Sequence, residues 1–396
     1  MGTPDQAAEQ AGLLQAAKDA LPWLREMSGE LETARALPQP VADRLAAAGL
    51  HRMLTPRAYG GIETDVATFI RVTELLAQGN ASAAWCTFIS CTSAVVGAWL
   101  PPEQARQLFA GPGVIGAGVF APRGTALPET RDGIEGYRVN GRWSWGSGCL
   151  NAHYISGGCL VRLPDGQTQA LPDGTPLVLS VVFDRADVTV HDTWHAMGLR
   201  GTGSNDFEVR DLFVPRTRTA SLMSGTPLNR PLYQFPAFGL LSLGIAAVAL
   251  GVGRVAIDAL CELAGAKLPQ GSTRPLAQRP STQEQVAHAE ARLRAARAWL
   301  FETVDSAWAA AVANGAMTVV HRRDLRLAAC HAVREVSGVV DQMHRIAGGS
   351  SVFVGSPLEH CLRDAHVITQ HMMVGDTVWE LTGRLFLGLP TQTATL

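Results

Sequence analysis

The chain has 396 residues, of which 47% are hydrophobic and 17% are charged, and its formal net charge is −2. This length and composition exclude a disordered protein and allow two or three compact units. The small net charge provides no field that would attract nucleic acid or an anionic membrane. We therefore expect the partners to be small molecules and further copies of the chain.

Cysteine usage and the N-terminus indicate a cytoplasmic protein. The seven cysteines are odd in number and include no CxxC pair, which argues against disulfides and a structural zinc site, so we predict no metal. Residues 1–6 show no basic segment followed by an apolar one, and we expect no export signal. Residues 237–253 are almost wholly apolar, but glycines interrupt them and charges follow, which favours a buried helix over a membrane span.

Hydrophobic periodicity divides the chain into three regions. Residues 1–112 carry apolar side chains at helical spacing, whereas residues 113–225 change to the period of two that is typical of strands. The helical period returns in residues 226–396, in four long segments that predict an antiparallel four-helix bundle: 237–267, 281–314, 318–347 and 358–387.

Local signals refine the central region. Asn140-Gly141 lies between alternating residues and predicts a β-hairpin turn at that dipeptide. Residues 177–183 form a nearly continuous apolar run of strand length, and residues 207–215 form another strand-like stretch. The middle of the chain is therefore predicted to be a small β domain.

In the segment Leu362–His371, Arg363-Asp364 precedes a stretch that is predicted to be a mostly apolar helix. It resembles the last catalytic segment of the acyl-CoA dehydrogenase superfamily. In those dehydrogenases a glutamate nine residues after the arginine removes the substrate proton, and Met372 stands at that position here. His371 matches instead the histidine of the flavin-dependent monooxygenases built on the same fold.

The order helix, sheet, helix at these lengths extends that resemblance over nearly the whole chain. It implies an α+β, acyl-CoA dehydrogenase-like fold with an N-terminal helical domain, a central β-barrel domain and a C-terminal four-helix bundle. The family's sites that need a second subunit imply a homo-oligomer, specifically a tetramer.

The β domain carries a second resemblance, in residues 140–148. They are similar to the superfamily's "NGxKxWIT" segment, which implies that Trp145 stacks on the flavin ring and that Ser147 hydrogen-bonds to the flavin. Phe120 and Ala121 fall on the strand that the family ends in "TEP", which lines the flavin. The alternative interpretation makes Trp145 part of the domain core and Ser147 a simple turn residue.

Residues 197–206 resemble a glycine-rich loop of the family monooxygenases, which would bring Ser204 close to the flavin or the substrate. A plain turn between strands is the alternative. Arg274, Gly348 and Gly349 fall where the family contacts the cofactor of a neighbouring subunit, and Arg274 could equally be a solvated loop residue.

Two further positions bear on the chemistry. On one continuous helix His366 and His371 would lie about 140° apart, so they cannot share a metal site, and His371 is expected to face the flavin. Phenol hydroxylases of this group often carry a histidine base shortly after the residues that match Ala84-Trp85, and this chain has Thr92 and Ser93 there.

Together these patterns predict a flavin-dependent monooxygenase. The resemblance implies that reduced FMN or FAD, supplied by a separate reductase, reacts with O2 to give a C4a-hydroperoxide, which donors from His371 and Ser147 would stabilise. The substrate would be a small aromatic or heterocyclic molecule. The alternative enzyme is an acyl-CoA dehydrogenase or oxidase, for which Glu380 is a late candidate base. A non-catalytic helical scaffold is a third interpretation.

Overall fold

The N-terminal region of the structure, a computed structural model that describes residues 4–396, consists of helices. Asp65 and Asn80 accept hydrogen bonds from the backbone amides of Thr68 and Ala83, and these contacts fix the starts of two neighbouring helices. The six helices are α1 Pro4–Glu26, α2 Ser28–Ala34, α3 Gln39–Ala47, α4 Val66–Gly79, α5 Ala81–Ala94 and α6 Pro102–Leu108.

The central region is one seven-stranded sheet in the order β5-β6-β2-β1-β3-β4-β7. β1 and β3 run parallel, and the other neighbouring strands are antiparallel. Both predicted strands, at 177–183 and 207–215, are confirmed as β4 and β6. The strands are β1 Gly116–Arg131, β2 Ile134–Gly146, β3 Tyr154–Val161, β4 Val178–Asp184, β5 Thr189–His191, β6 Asn205–Pro215 and β7 Thr219–Ala220.

The predicted barrel is wrong, because this sheet is open. Closure would require the two edge strands to pair with each other. The edge strands β5 and β7 are at opposite ends of the sheet and contain three and two residues. They are too short to close a cylinder.

The predicted hairpin turn at Asn140-Gly141 is also wrong, because β2 runs straight through that dipeptide. The turn between β1 and β2 is made by Asp132-Gly133, both with positive φ, as a two-residue hairpin requires. Gly141 has a packing role instead: a Cβ there would lie 2.5 Å from the Trp143 ring. The glycine of this dipeptide is therefore explained by close packing inside a strand and not by a turn.

The C-terminal region is helical, but its fourth predicted segment is broken in two. Residues 370–375 separate the last two helices, and Gly375 is extended at φ −81° and ψ 178°. Because His371 lies in this break and not on a helix, the angular argument from His366 to His371 does not apply. The helices are α7 Ala237–Ala266, α8 Pro280–Asn314, α9 Val319–Ala347, α10 Pro357–Thr369 and α11 Asp376–Phe386.

One hydrophobic core joins the N-terminal and C-terminal helices, and the sheet has a core of its own. Gly244 of α7 lets α5 approach closely, since a Cβ there would lie 2.5 Å from the Phe88 ring. Two segments are long and apolar enough to cross a membrane, Ala81–Ala98 and Ala237–Ala266, but 100% and 89% of their apolar windows are buried within the protein. The prediction of a buried core helix at 237–253 is confirmed.

Candidate active site

Three hydroxyl groups form a short buried chain at the end of β2. Ser147 Oγ lies 2.7 Å from Ser204 Oγ, which lies 2.7 Å from Thr202 Oγ1. Thr202 donates to the carbonyl of Leu199 at 2.7 Å, and the indole N–H of Trp85 donates to Ser147 at 3.0 Å. The structure therefore brings together the predicted residues Ser147 and Ser204, and it adds Trp85 of α5. We call Ser147, Ser204 and Thr202 the hydroxyl chain.

The loop that carries the hydroxyl chain is fastened to α10. Asp364 accepts a hydrogen bond from the backbone N–H of Leu199 at 2.6 Å, and Arg363 donates to the carbonyl of Met197. Leu199 has a φ of +47°, a conformation that needs such external support. Burial raises the pKa of Asp364 to about 7, although its hydrogen bond from Leu199 opposes the shift.

His371 lies directly after α10, with its ring centre 5.9 Å from that of Trp85. Its Nδ1 accepts a hydrogen bond from the backbone N–H of Met373 at 3.2 Å. Burial, and then the positive charge of Arg326, lowers the pKa of His371 to about 4. The imidazole is thus neutral at physiological pH. Because Nδ1 accepts, its proton is on Nε2, which has no hydrogen-bond partner within residues 4–396.

Arg326 of α9 is the charged group next to this site, and no sequence motif indicated its role. The residue is 2% exposed, and it donates to the carbonyl of Phe238 and to the sulfur of Met373. Its Nε atom has no partner, and no carboxylate between residues 4 and 396 pairs with it. Burial lowers its pKa to about 10. A buried cation without a counter-charge indicates a place for an anion.

Trp145 is conspicuously exposed, two residues before Ser147. It is 69% exposed, and its backbone has a φ of +68°, which is strained for a bulky residue. The alternative that placed Trp145 in the domain core is therefore wrong, and Trp143 is the core tryptophan. Large, exposed and strained side chains of this kind cluster at ligand sites.

Phe120 and Ala121 lie on β1 beside a bulge in its pairing with β3. The Phe120 ring packs edge-on against Phe238 with the ring centres 6.1 Å apart. A cavity of about 370 Å³ opens at this contact. The side chains that line it include Trp99, Phe120, Tyr233, Phe235, Phe238 and Met317.

Arg322 is the only charged residue among the described residues that line this cavity. No carboxylate of residues 4–396 is within ion-pair distance of it. Arg322 and Arg326 are four residues apart on α9, so they share one face with a rise of about 6 Å between them. Since Arg326 contacts both Phe238 and Met373, the cavity lies about one helical turn from the His371 loop.

Three predicted cofactor residues lie away from this cluster. Gly348 and Gly349 form the turn before α10, and Arg274 is exposed in the loop between α7 and α8. Lys267 connects the two segments by donating to Ala347 and Ser350. As α10 has 13 residues, this turn is about 20 Å from His371 along the helix. A single chain therefore does not assemble all the predicted cofactor residues at one place.

The positions expected to supply a base contain none. Thr92 donates its hydroxyl to the carbonyl of Phe88, and Ser93 lies against Gly118 of β1. Glu380, the candidate base of the dehydrogenase alternative, is exposed on α11. Within residues 4–396 no group of three or more metal-ligating side chains is placed to hold an ion.

Comparison with known sequences agrees with this arrangement. Residues 3–108 match the acyl-CoA dehydrogenase N-terminal domain, and residues 243–375 match a C-terminal domain of the same name. The indole-3-acetate monooxygenase of Pseudomonas putida is 30% identical, covering 92% of this chain and 90% of that protein. The flavin-dependent monooxygenase oxygenase subunit HsaA of Rhodococcus jostii is 29% identical, covering 89% and 91% of the two chains.

Solved structures share the whole fold. XiaF from Streptomyces sp., solved with FADH2 and glycerol, superposes with a TM-score of 0.89 at 26% identity, covering 98% of this chain and 97% of that one. Butyryl-CoA dehydrogenase of Megasphaera elsdenii has a TM-score of 0.79 at 18% identity, covering 98% and 99%, and shares the fold alone. The chain is a flavin-dependent monooxygenase and belongs to the monooxygenase branch of the acyl-CoA dehydrogenase-like superfamily.

Proposed function

We propose that the protein is an oxygenase component that inserts one oxygen atom of O2 into a small aromatic acid. The observation that supports this most directly is the aromatic cavity with one unpaired cation, Arg322, about one helical turn from His371. Reduced flavin would supply the two electrons that convert the second oxygen atom to water.

The described residues fit a reduced flavin. Trp145 offers a large exposed ring face beside Ser147. Arg326 has an unpartnered Nε and no counter-charge. Its positive charge would therefore be compensated by the negative charge that reduced flavin carries at neutral pH. Trp145 and Ser147 would thus hold the ring, Phe120 and Ala121 would line it, and Arg326 would compensate its charge.

His371 acts in this proposal as a neutral hydrogen-bond donor. Its depressed pKa removes it as a general acid at physiological pH, and the hydrogen bond at Nδ1 fixes the proton on Nε2. A preorganised donor in an enclosed site stabilises negative charge that develops on oxygen. The packing of its ring against Trp85 keeps this donor in one orientation.

The cavity suggests the substrate. Its volume of about 370 Å³ falls in the range of small-molecule pockets, roughly 300–1,000 Å³. The aromatic walls suit a planar ring, and Arg322 suits a carboxylate, which arginine binds through two parallel hydrogen bonds. Indole-3-acetate, the substrate named for two relatives at 30% and 29% identity, combines both features.

The exposed turn before α10 supports a homo-oligomer, which we propose to be a tetramer. Val352, Phe353 and Val354 follow Gly348-Gly349 and are 63%, 69% and 91% exposed. Such an apolar patch is unusual on a monomer surface, and a second copy of the chain would cover it. Arg274 and the glycine turn would then lie near the cofactor of that copy.

A separate flavin reductase would supply the reduced cofactor, as relatives named oxygenase subunits and components indicate. All seven cysteines are free, which suits the reducing cytoplasm, where we place the protein with that reductase.

The experiment that tests this function supplies the purified protein with chemically reduced FAD or FMN, O2 and either indole-3-acetate or neutral indole-3-acetamide. We expect oxygenated product from the acid. Arg322→Gln should lower kcat/KM for the acid roughly 10- to 100-fold, the loss of a charge-assisted contact, and change that for the amide little. Mass spectrometry of the products gives both rates.

Arg323→Gln is the matched control, because that neighbour pairs with Asp324 and stacks on Phe386 outside the cavity. The substrate proposal fails if Arg322→Gln affects acid and amide equally. The enzyme class fails if no aromatic acid is oxygenated while an acyl-CoA reduces bound flavin without oxygen.

A further inference from the structure

The hydroxyl chain has a direction that its contacts determine. It contains three short oxygen–oxygen contacts of 2.7 Å each: Ser147 to Ser204, Ser204 to Thr202, and Thr202 to the Leu199 carbonyl. Each such contact requires one hydrogen between the two oxygens, because bare lone pairs at that distance repel. Three hydroxyl groups supply three protons, so every proton is used within the chain.

The last contact sets the direction of the others. A carbonyl can only accept, so the Thr202 proton must point to Leu199. Thr202 then accepts from Ser204, and Ser204 accepts from Ser147. The Ser147 oxygen also accepts from the indole N–H of Trp85, which leaves it one free lone pair and no free proton.

This result reverses the role that the sequence led us to expect for Ser147. A hydrogen-bond donor was expected there, but the contacts make it an acceptor toward any ligand. The two redox states of a flavin differ at this point, because N5 carries a hydrogen in the reduced ring and only a lone pair in the oxidised ring.

We propose that Thr202 and Ser204 are positioning residues that lock Ser147 as a hydrogen-bond acceptor, so that the site selects reduced over oxidised flavin. The inference rests on the proposed placement of the flavin against Ser147 and Trp145. The lock is anchored outside the site, since Asp364 holds the backbone of Leu199, whose carbonyl ends the chain.

Removing the last acceptor should release the lock. In Thr202→Val, Ser204 loses the group that takes its proton, so it can donate to Ser147, and Ser147 can then donate to an oxidised ring. Thr202→Ser keeps the hydroxyl and should preserve the lock. Thr73→Val is the control for losing a buried threonine hydroxyl, because Thr73 donates to a helix carbonyl on α4, outside the hydroxyl chain.

The test measures Kd for reduced and oxidised FAD and FMN anaerobically in the four proteins, together with the midpoint potential of the bound flavin. The unmodified protein should bind the reduced form more tightly. Thr202→Val should lower the preference about tenfold, which corresponds to a midpoint potential about 30 mV lower for a two-electron couple. Thr202→Ser and Thr73→Val should retain it.

Two results would overturn the inference. If Thr202→Val folds, forms product and keeps the full preference, the hydroxyl chain does not set the selectivity, whereas the proposed function stands. If the unmodified protein binds neither FAD nor FMN in either redox state, the flavin placement fails, and the inference fails with it.

Discussion

The two ends of α10 differ in how many of their contacts are made within one chain. At the end with Asp364 and His371, hydrogen bonds and ring packing within one chain join α10, the 197–204 loop, β2 and α5. At the other end, the Gly348-Gly349 turn leads into exposed apolar residues, and the Arg274 side chain has no carboxylate partner within residues 4–396.

This difference indicates that one end of α10 is preorganised within a single chain, whereas the other end needs a ligand or a second copy of the chain. Contacts within one chain hold the groups at the His371 end in position, and stabilisation of a developing charge requires such preorganisation. The Gly348 end has the character of half a site, completed only by a ligand or a second copy of the chain.

The largest effect should come from protonation at the His371 end. Folding raises the pKa of Asp364 from 3.8 to about 7. The folded protein therefore keeps this proton where the unfolded chain has lost it. The stabilisation from Asp364 is therefore fully present below about pH 4 and is lost as the pH rises to about 7. Over that range its contribution to the free energy of unfolding falls by about 4 kcal/mol, at 1.36 kcal/mol per pKa unit.

His371 titrates with the opposite sign. Its folded pKa of about 4 lies below the ordinary 6.5, so stability is lost as the pH falls from about 6.5 to about 4. Urea unfolding across this range should show that Asp364→Asn is more acid-sensitive than the unmodified protein and His371→Gln less so. Identical pH slopes in the two variants would contradict the burial of these groups.

The second effect is on the fraction of consumed O2 that ends in oxygenated product and not in hydrogen peroxide. His371→Ala should fold and bind flavin but release hydrogen peroxide in place of product, with oxygenation reduced on the order of 10²–10³-fold, the usual loss for one preorganised donor. His366→Ala is the control, because His366 lies on α10 and pairs with Asp341 at the surface. Equal peroxide release by both variants would show that the position of Nε2 does not matter.

Sequence periodicity was enough for most of the fold, because burial imposes a period on helices and strands alike. Prediction from the sequence failed where one residue type occurs for two different structural reasons. Asn140-Gly141 is a turn signal, yet Gly141 is there so that Trp143 can pack. The break after α10 was invisible because residues 362–387 keep their helical spacing through it.

The candidate site shows the same limit. His371, Ser147 and Ser204 were predicted because each lies in a local motif, and the structure places them close together. Trp85 and Arg326 were not assigned a role, because what defines them is a contact with a distant segment: Ser147 for one, Phe238 and Met373 for the other. An arginine on an amphipathic helix gives no sign in sequence that it is buried without a counter-charge.

The smallest effect should come from the Gly348 end. Arg274 makes no ion pair with residues 4–396 and is exposed, so Arg274→Ala should leave the free energy of unfolding unchanged within about 0.5 kcal/mol. If its guanidinium binds cofactor phosphates across a subunit contact, FAD affinity should fall about tenfold, the loss of one charge-assisted contact. Arg294→Ala removes another exposed charge, one that pairs with Glu290 on α8, and should leave FAD affinity intact. Calorimetric titration, with light scattering to fix the oligomeric state, separates the outcomes. Unchanged FAD affinity in a stable tetramer would mean that Arg274 is only a solvated loop residue.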